Sequence, residues 1–142
     1  MSGWRAGVLL IAVLAALDTA AAASLEVRVQ VPEPDQGTVY LAIFDEAQAF
    51  PDPEGAHVRQ ARKVEGAEVQ LRISSLEPGD YAVAAFQDLD GDEELTTNWI
   101  GVPKEPAGFS RNAMGTMGPP SFAEAAVTLA PSGSEIIIDL TD

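Results

Sequence analysis

The sequence lacks cysteine, has a single histidine and is poor in basic residues: 8 Lys and Arg stand against 22 Asp and Glu in 142 residues. Without cysteine the chain has no disulfide, no thiol nucleophile and no lipid anchor on an N-terminal Cys, so its core must hold the fold together. The lone His57 has no Cys or second His to complete a zinc site, and no neighbour in the sequence marks it as a catalytic base. We therefore expect a protein that is not an enzyme, with His57 in a surface loop.

The N-terminus has the organisation of a secretory signal peptide. Arg5 precedes the apolar run AGVLLIAVLAAL (6–17), which is followed by the small residues DTAAAAS. The apolar run is too short for a membrane anchor, which needs about 20 residues. The A-x-A pattern ending at Ala23 predicts cleavage after that residue, or one or two residues earlier. The expected products are a signal peptide, 1–23, and a domain, 24–142, that is soluble in the periplasm or secreted, with no stable membrane anchor.

The charge of the chain limits its partners. Cleavage removes one Arg and one Asp, so the net charge of -14 is unchanged. Such a surface repels phosphate backbones and anionic lipids, which makes nucleic acid and membranes poor partners. The expected partner is a ligand or protein of the cell envelope, of unknown identity.

Period-two alternation of apolar and polar residues predicts strands in four stretches. These are SLEVRVQV (24–31), GTVYLAIFD (37–45), AEVQLRIS (67–74) and SEIIIDL (134–140). Two less regular apolar runs, DYAVAAF (80–86) and FAEAAVTLA (122–130), add further strands, and the second could form a helical turn instead. The pattern predicts an all-β protein, a single sandwich of six or seven strands.

A tight turn before one of these strands has a structural role. In SSLEPGDYAVAAF, Pro78 and Gly79 set a turn in which Gly79 takes positive φ, and Tyr81 then enters the strand. We expect the Tyr81 hydroxyl to bond to a nearby backbone group, as in the tyrosine corners of Ig-like and prealbumin-like sandwiches.

Two long connections separate the predicted strands, at 46–66 and 87–121. The second is rich in Gly and Pro, and loops of that length are usually functional or disordered. Its apolar residues predict that the loop is ordered and packs against the rest of the domain. We expect any function to lie in this loop. Two aromatic and two polar residues suggest either a sugar or peptide platform or a hydrophobic plug for the loop itself: Trp99, Phe109, Arg111 and Asn112.

The stretch DLDGDEELTTN (88–98) places carboxylates on alternate positions. Carboxylates this close repel one another, so the segment is either neutralised by a hard cation or is a solvated turn.

Several motifs together resemble the bacterial secreted proteins of domain-of-unknown-function family 2141. They are GTVYLAIFDEAQAF, LEPGDYAVAAFQDLDGDEELTTNWIGVPKEPAGFSRNAMG and GPPSFAEAAVTL. The family has L-x-P-G-x-Y, then D-x-N-x-N-G-x-L-D-x-N, then G-I-P-x-E-x-x-G-F-S and P-P-S-F-x-x-A. The resemblance covers essentially the whole domain and implies a small exported β-sandwich, prealbumin-like in design. It implies no activity.

The acidic loop of that family is similar to a calcium loop of the EF type. Carried over residue by residue, the resemblance implies oxygen ligands at five positions: Asp88, Asp90, Asp92, Glu94 (through its carbonyl) and Thr96. Glu93 stands where the family has Gly and the chain turns with positive φ, and Trp99 stands where an EF loop has its bidentate Glu. These departures favour the solvated turn over the calcium site, and both interpretations stay open.

The expected function is that of an exported, non-catalytic binding or accessory module of the envelope. The alternative is a structural domain with one weak calcium site. A third hypothesis is an uncharacterised hydrolase, because long loops on sandwiches sometimes carry chemistry. Asp45 and Glu46 could approach the 88–98 loop if both connections emerge at the same end of the sandwich.

Overall fold

The computed structural model describes residues 22–93 and 105–142. Eight strands form two sheets: β1 Ala23–Gln30, β2 Thr38–Phe44, β3 Val58–Lys63, β4 Glu68–Leu76, β5 Gly79–Asp88, β6 Ala107–Phe109, β7 Val127–Leu129 and β8 Ser134–Asp139. One helix, α1, spans Phe122–Ala125, and short 3₁₀ turns lie at Pro53–Gly55 and Ser110–Asn112. No helix within the described ranges is long and apolar enough to cross a membrane.

The smaller sheet has the strand order β4-β1-β8. β1 pairs antiparallel with β4 and parallel with β8, with Leu25 opposite Ser134 and Gln30 opposite Asp139. The larger sheet has the order β3-β2-β5-β6, and β7 pairs with the start of β5. β2 runs antiparallel to β5, with Thr38 opposite Asp88 and Phe44 opposite Ala82.

The main core lies between the two sheets, as the alternation predicts. The alternating apolar positions of the first three regular strands are all buried, whereas in the last one Ile138 is buried, Ile136 is half-buried and Ile137 is exposed. The buried residues are Leu25, Val27, Val29, Val31, Val39, Leu41, Ile43, Val69, Leu71, Ile73 and Ile138. Together with side chains of β5 they form one continuous cluster. The prediction of an all-β, two-sheet architecture is confirmed.

A second apolar cluster covers part of the outer face of the larger sheet. Phe50 is at its centre and makes edge-to-face contacts with Phe44, Phe109 and Phe122, at ring-centroid distances of 5.2, 5.7 and 6.2 Å. Edge-to-face pairs of this kind add roughly 0.5–1.5 kcal/mol each beyond their buried area. The long connections therefore supply their own apolar packing against the sheet.

α1 brings Phe122 to this cluster through a complete capping box. Ser121 Oγ accepts from the Glu124 N–H at 3.2 Å, and Glu124 Oε2 accepts from the Ser121 N–H at 2.7 Å. The segment 122–130 thus contains both the helical turn and the strand that the sequence left as alternatives.

The structure corrects two details of the predicted fold. The strand count is eight in the described ranges, rather than six or seven, because the three-residue β6 lies inside the predicted connection 87–121 and β3 lies inside the predicted connection 46–66. The long connection 87–121 is likewise broken by β6. β1 begins at Ala23, the last residue of the predicted signal peptide, and residues 1–21 of that peptide lie outside the described residues.

The predicted tyrosine corner is confirmed. The Tyr81 hydroxyl donates to the Glu77 carbonyl at 2.6 Å, Gly79 has a φ of 154°, and burial raises the pKa of the Tyr81 phenol.

Replacing Tyr81 by Phe should lower the free energy of unfolding by about 1 kcal/mol, because the Glu77 carbonyl loses its donor. Urea denaturation measures this loss. Tyr40→Phe is the matched control, since the Tyr40 hydroxyl has no hydrogen bond in the described part of the chain and its removal should change stability little. Equal losses in the two variants would contradict a structural role for the corner.

Candidate cation site at the end of β5

The candidate site begins at the last residue of β5. The alternation of β5 places Asp88 on the same face as Phe86, opposite Thr38 of β2. Asp88 is nonetheless 97% buried, since its exposed fraction is only 3%. A carboxylate that far from water needs compensating hydrogen bonds or a cation.

Asp88 organises the turn that follows it. Its Oδ1 accepts from the Gly91 N–H at 2.9 Å and its Oδ2 accepts from the Glu93 N–H at 2.9 Å. Asp90 Oδ1 accepts from the Asp92 N–H at 3.1 Å. The turn is therefore wrapped around its own carboxylates, which is how short polar side chains stabilise tight turns.

The backbone of this turn enters the left-handed region twice. Gly91 has a φ of 78° and Glu93 a φ of 63°. The expectation of positive φ at Glu93 is confirmed, and a side chain there costs about 1 kcal/mol relative to glycine.

A fourth carboxylate comes from a distant part of the chain. Glu105 precedes β6, which pairs with β5, and the Gln87 N–H donates to the Pro106 carbonyl at 2.9 Å. This pairing brings Glu105 beside the turn, where its Oε2 accepts from the Leu89 N–H at 2.7 Å. Glu105 is only 5% exposed. The residues just before β6 are thus hydrogen-bonded to the end of β5.

The four carboxylates converge on one point. One oxygen each of Asp88, Asp90, Asp92 and Glu105 can be chosen so that all lie within 4.8 Å of one another. Oxygens that bind one calcium ion at 2.3–2.6 Å can be no more than about 5 Å apart, so this spacing fits calcium. Asp88 and Glu105 are buried, whereas Asp90 and Asp92 are exposed. The donor set is all oxygen and strongly anionic, which suits a hard cation and not zinc.

Tyr40 reports the electrostatic field of this turn. Its ring stacks on that of Phe86, with ring centroids 5.2 Å apart, and Phe86 lies two residues before Asp88 on the same face of β5. Partial burial raises the pKa of the Tyr40 phenol, and the charges of Glu93, Asp88 and Asp92 raise it further. The phenol therefore lies within electrostatic reach of the turn.

The remaining predicted ligands and one platform residue are outside the described residues. These are Glu94, Thr96 and Trp99, so their parts in a metal site or platform stay predictions.

The side chains of the other three platform residues lie in different environments. Phe109 packs in the second apolar cluster against Phe50. Asn112 uses its amide to bind β8, with Oδ1 accepting from the Asp139 N–H at 2.9 Å and Nδ2 donating to Asp139 Oδ2 at 3.1 Å. Arg111 is exposed and has a φ of 61°. Phe109 packs as the hydrophobic plug interpretation predicts, and a ligand platform stays a prediction.

The sequence analysis allowed Asp45 and Glu46 to approach the acidic turn, and the strand register separates Asp45 from it. Thr38 lies beside Asp88 at one end of β2, whereas Asp45 follows Phe44 at the other end. Seven residues of strand span about 23 Å. Asp45 instead lies 3.4 Å from His57 Nδ1, and both side chains are exposed.

The chain matches a family model described as "Uncharacterized protein conserved in bacteria (DUF2141)" over residues 27–137. The chain belongs to this family. The match begins in β1 and ends in β8, so the DUF2141 region contains most of the core between the two sheets and all four carboxylates of the candidate site. No curated protein and no solved structure matches the chain.

Glu105 is the site residue that sequence reasoning missed. It is the Glu of the DUF2141 motif G-I-P-x-E-x-x-G-F-S, quoted above as GVPKEPAGFS. An EF-type loop takes its last ligand at position 12, which in this sequence is Trp99. The position of Glu105 within the motif was visible in the sequence, but its approach to Asp88 depends on the β5–β6 pairing.

Proposed function

We propose that this DUF2141 domain is an exported, non-catalytic module of the cell envelope that binds one calcium ion with Asp88, Asp90, Asp92 and Glu105. The observation that carries the proposal is the convergence of these four carboxylates, two of them buried, within 4.8 Å. Burying like charges together is unfavourable unless a cation compensates. A divalent ion at this point would offset half of the four negative charges.

The role of the ion in this proposal is structural. Asp88 ends β5 and Glu105 precedes β6, so an ion shared by the two would join both ends of the connection 89–104. The carboxylates already accept hydrogen bonds from Leu89, Gly91 and Glu93. Each carboxylate oxygen has a second lone pair, so these bonds leave room for a cation. Loop carbonyls and water would complete the six to eight oxygens that calcium prefers.

The proposed export of the domain favours calcium over magnesium as the natural ion, because extracellular modules bind calcium at oxygen sites of this kind. Extracellular calcium modules bind with dissociation constants of about 10⁻⁴ to 10⁻³ M, and affinity rises with the number of charged ligands. Four carboxylates place this site at the tighter end, at about 10⁻⁴ M. Magnesium binds at 2.0–2.1 Å in near-ideal octahedral geometry, which a set of oxygens up to 4.8 Å apart does not favour.

Calcium should raise the melting temperature of the domain. At 10 mM calcium and a dissociation constant of about 10⁻⁴ M, linkage predicts about 2.7 kcal/mol of added stability. For a domain of this size that corresponds to about 10 °C. Scanning calorimetry in EDTA and in 10 mM calcium measures the shift.

The control separates a specific site from general charge relief. Asp90→Asn with Asp92→Asn removes two exposed site carboxylates and should abolish most of the shift. Glu46→Gln with Glu65→Gln changes the net charge equally at exposed positions outside the cluster and should retain it. A shift absent from the natural protein, or unchanged in the Asp90/Asp92 variant, would refute the proposal.

Terbium gives a second measurement that does not depend on unfolding. Terbium(III) replaces calcium in oxygen sites and emits strongly when a nearby aromatic ring absorbs the exciting light. Because Tyr40 lies within reach of the turn, we expect sensitised emission that calcium displaces and that Tyr40→Phe weakens.

A further inference from the structure

β3 differs from every other strand in its exposure. It lies at the edge of the larger sheet and pairs, among the described residues, with β2 alone. Five of its six side chains are exposed, from Arg59 to Lys63. A strand exposed on both faces contributes little to the core, so its residue types are open to selection for another purpose.

The outer edge of β3 presents unpaired backbone groups. The Val64 N–H donates to the Gly37 carbonyl at 3.0 Å, which identifies this pair as hydrogen-bonded. Because hydrogen-bonded pairs alternate along an antiparallel ladder, Gln60 and Arg62 also bond to β2. Arg59, Ala61 and Lys63 therefore direct their N–H and C=O groups away from the sheet, and no hydrogen bond to these groups exists within the described ranges.

The corresponding edges elsewhere are partly covered. Arg62 extends from β3 and donates to the Gln70 carbonyl on the outer edge of β4. At β8, the Asn112 side chain bonds to both the backbone and the carboxylate of Asp139. β6 is bridged to Thr141. Within the described residues, no side chain forms a hydrogen bond to the outward backbone groups of β3.

The charge of β3 is opposite to that of the chain. Arg59, Arg62 and Lys63 are three of the 8 Lys and Arg, and the strand has no acidic residue, whereas the chain carries a net charge of -14. None of the three takes part in an ion pair with a described residue. Cations on an edge strand oppose pairing between identical edges. Antiparallel pairing of two copies centred on Ala61 would place Arg59 opposite Lys63, which like-charge repulsion disfavours.

We propose that the β3 edge binds an extended acidic segment of a partner protein, which adds to the larger sheet as a further strand. The same cations that repel a second copy would attract carboxylates, and the outward N–H and C=O groups would supply the main-chain bonds of strand addition. Arg59 and Lys63 are four residues apart on one face of the strand, so the segment should carry two carboxylates at that spacing.

A pair of synthetic peptides tests the charge requirement. The probe is an extended decapeptide of Thr and Val with Glu at two positions four residues apart, and the matched peptide has Lys at both. We expect the Glu peptide to bind and the Lys peptide to bind at least tenfold more weakly, measured by fluorescence polarisation at low salt. Binding of the Glu peptide should weaken as salt is added. Equal binding of the two peptides, or binding of neither, would overturn the proposal.

Ala61 provides a matched test of the main-chain bonds. Its N–H points outward, so Ala61→Pro removes a docking donor without removing a bond to β2, and edge strands tolerate proline in that orientation. We expect Ala61→Pro to weaken binding at least tenfold and Ala61→Val, which keeps the N–H, to retain it. Full binding by Ala61→Pro would refute strand addition.

Two further variants keep the proposal testable if Ala61→Pro does not fold. Arg59→Gln with Lys63→Gln changes no backbone group and should weaken binding of the Glu peptide at least tenfold; unchanged binding would overturn the proposal. Asp90→Asn should leave peptide binding intact, so the docking edge and the calcium proposal can fail separately. Dimerisation of the natural protein in sedimentation that Ala61→Pro abolishes would identify a second copy as the occupant and contradict the acidic segment.

Discussion

Gly37→Ala should lower the free energy of unfolding by about 3 kcal/mol. Gly37 has a φ of 67°, and a Cβ at this position would lie 2.0 Å from the backbone oxygen of Asp88. The left-handed backbone costs an alanine about 1–2 kcal/mol, and overpacking against a backbone atom adds roughly 1–3 kcal/mol.

The neighbouring backbone cannot easily move away from this contact. Gln87 Nε2 donates to the Glu33 carbonyl at 2.6 Å and to the Gln36 carbonyl at 2.8 Å, and the Gly37 carbonyl accepts from Val64. The turn before β2 is thus bonded to both β5 and the end of β3. A loss of about 3 kcal/mol is a large share of the 5–15 kcal/mol by which such domains are stable.

Gly66→Ala is the control for Gly37→Ala. Gly66 has a φ of 77°, but a Cβ there would meet nothing within 4 Å. It should therefore show only the conformational cost, about 1 kcal/mol. Urea denaturation of both variants separates the cost of the left-handed backbone, which both share, from the cost of the steric contact with Asp88, which only Gly37→Ala has. Because Asp88 opens the acidic turn, Gly37→Ala should also weaken calcium binding, and Gly66→Ala should not. Equal losses of stability would contradict the close approach of Gly37 to β5.

Glu105→Gln should have opposite effects on stability without and with calcium. The amide oxygen of Gln can still accept from the Leu89 N–H, so the packing of the turn is largely kept. In EDTA the variant should be at least as stable as the natural protein, since one of four mutually repelling carboxylates is neutralised. In 10 mM calcium it should be less stable, because the ion loses a charged ligand.

The expected loss in calcium affinity is at least tenfold, or about 1.4 kcal/mol. Isothermal titration measures the affinity, and melting in EDTA and in calcium measures the reversal. Glu65→Gln, at an exposed position, controls for net charge and should change neither. Unaltered affinity in Glu105→Gln would remove Glu105 from the proposed ligands and leave only the sequence-local carboxylates.

The parts of the fold that sequence patterns predicted are those with one buried face. β1, β2 and β4 alternate strictly because one side packs on the core, and the buried residues are the ones that the alternation identified. β3 escaped prediction because VRQARK is exposed on both faces and has no period of two. β6, with three residues, is too short to show any period.

The candidate site was partly predictable for a similar reason. The alternate carboxylates of Asp88, Asp90 and Asp92 are a local pattern, and so is the positive φ at Glu93. Glu105 enters only through strand pairing between β5 and β6, which no local pattern specifies. The burial of Asp88 likewise follows from tertiary packing, since an aspartate at a strand end is exposed in most proteins.

The parallel pairing of β1 with β8 determines how the domain would bear a mechanical load. The six paired positions run from Leu25 beside Ser134 to Gln30 beside Asp139. A force that pulls the start of β1 and the end of β8 apart acts along both strands and in opposite directions. All the hydrogen bonds between the two strands then resist together, in shear, whereas in a hairpin pulled from its open end they would break one after another. A domain held at both ends would therefore extend at a high force and as a single event.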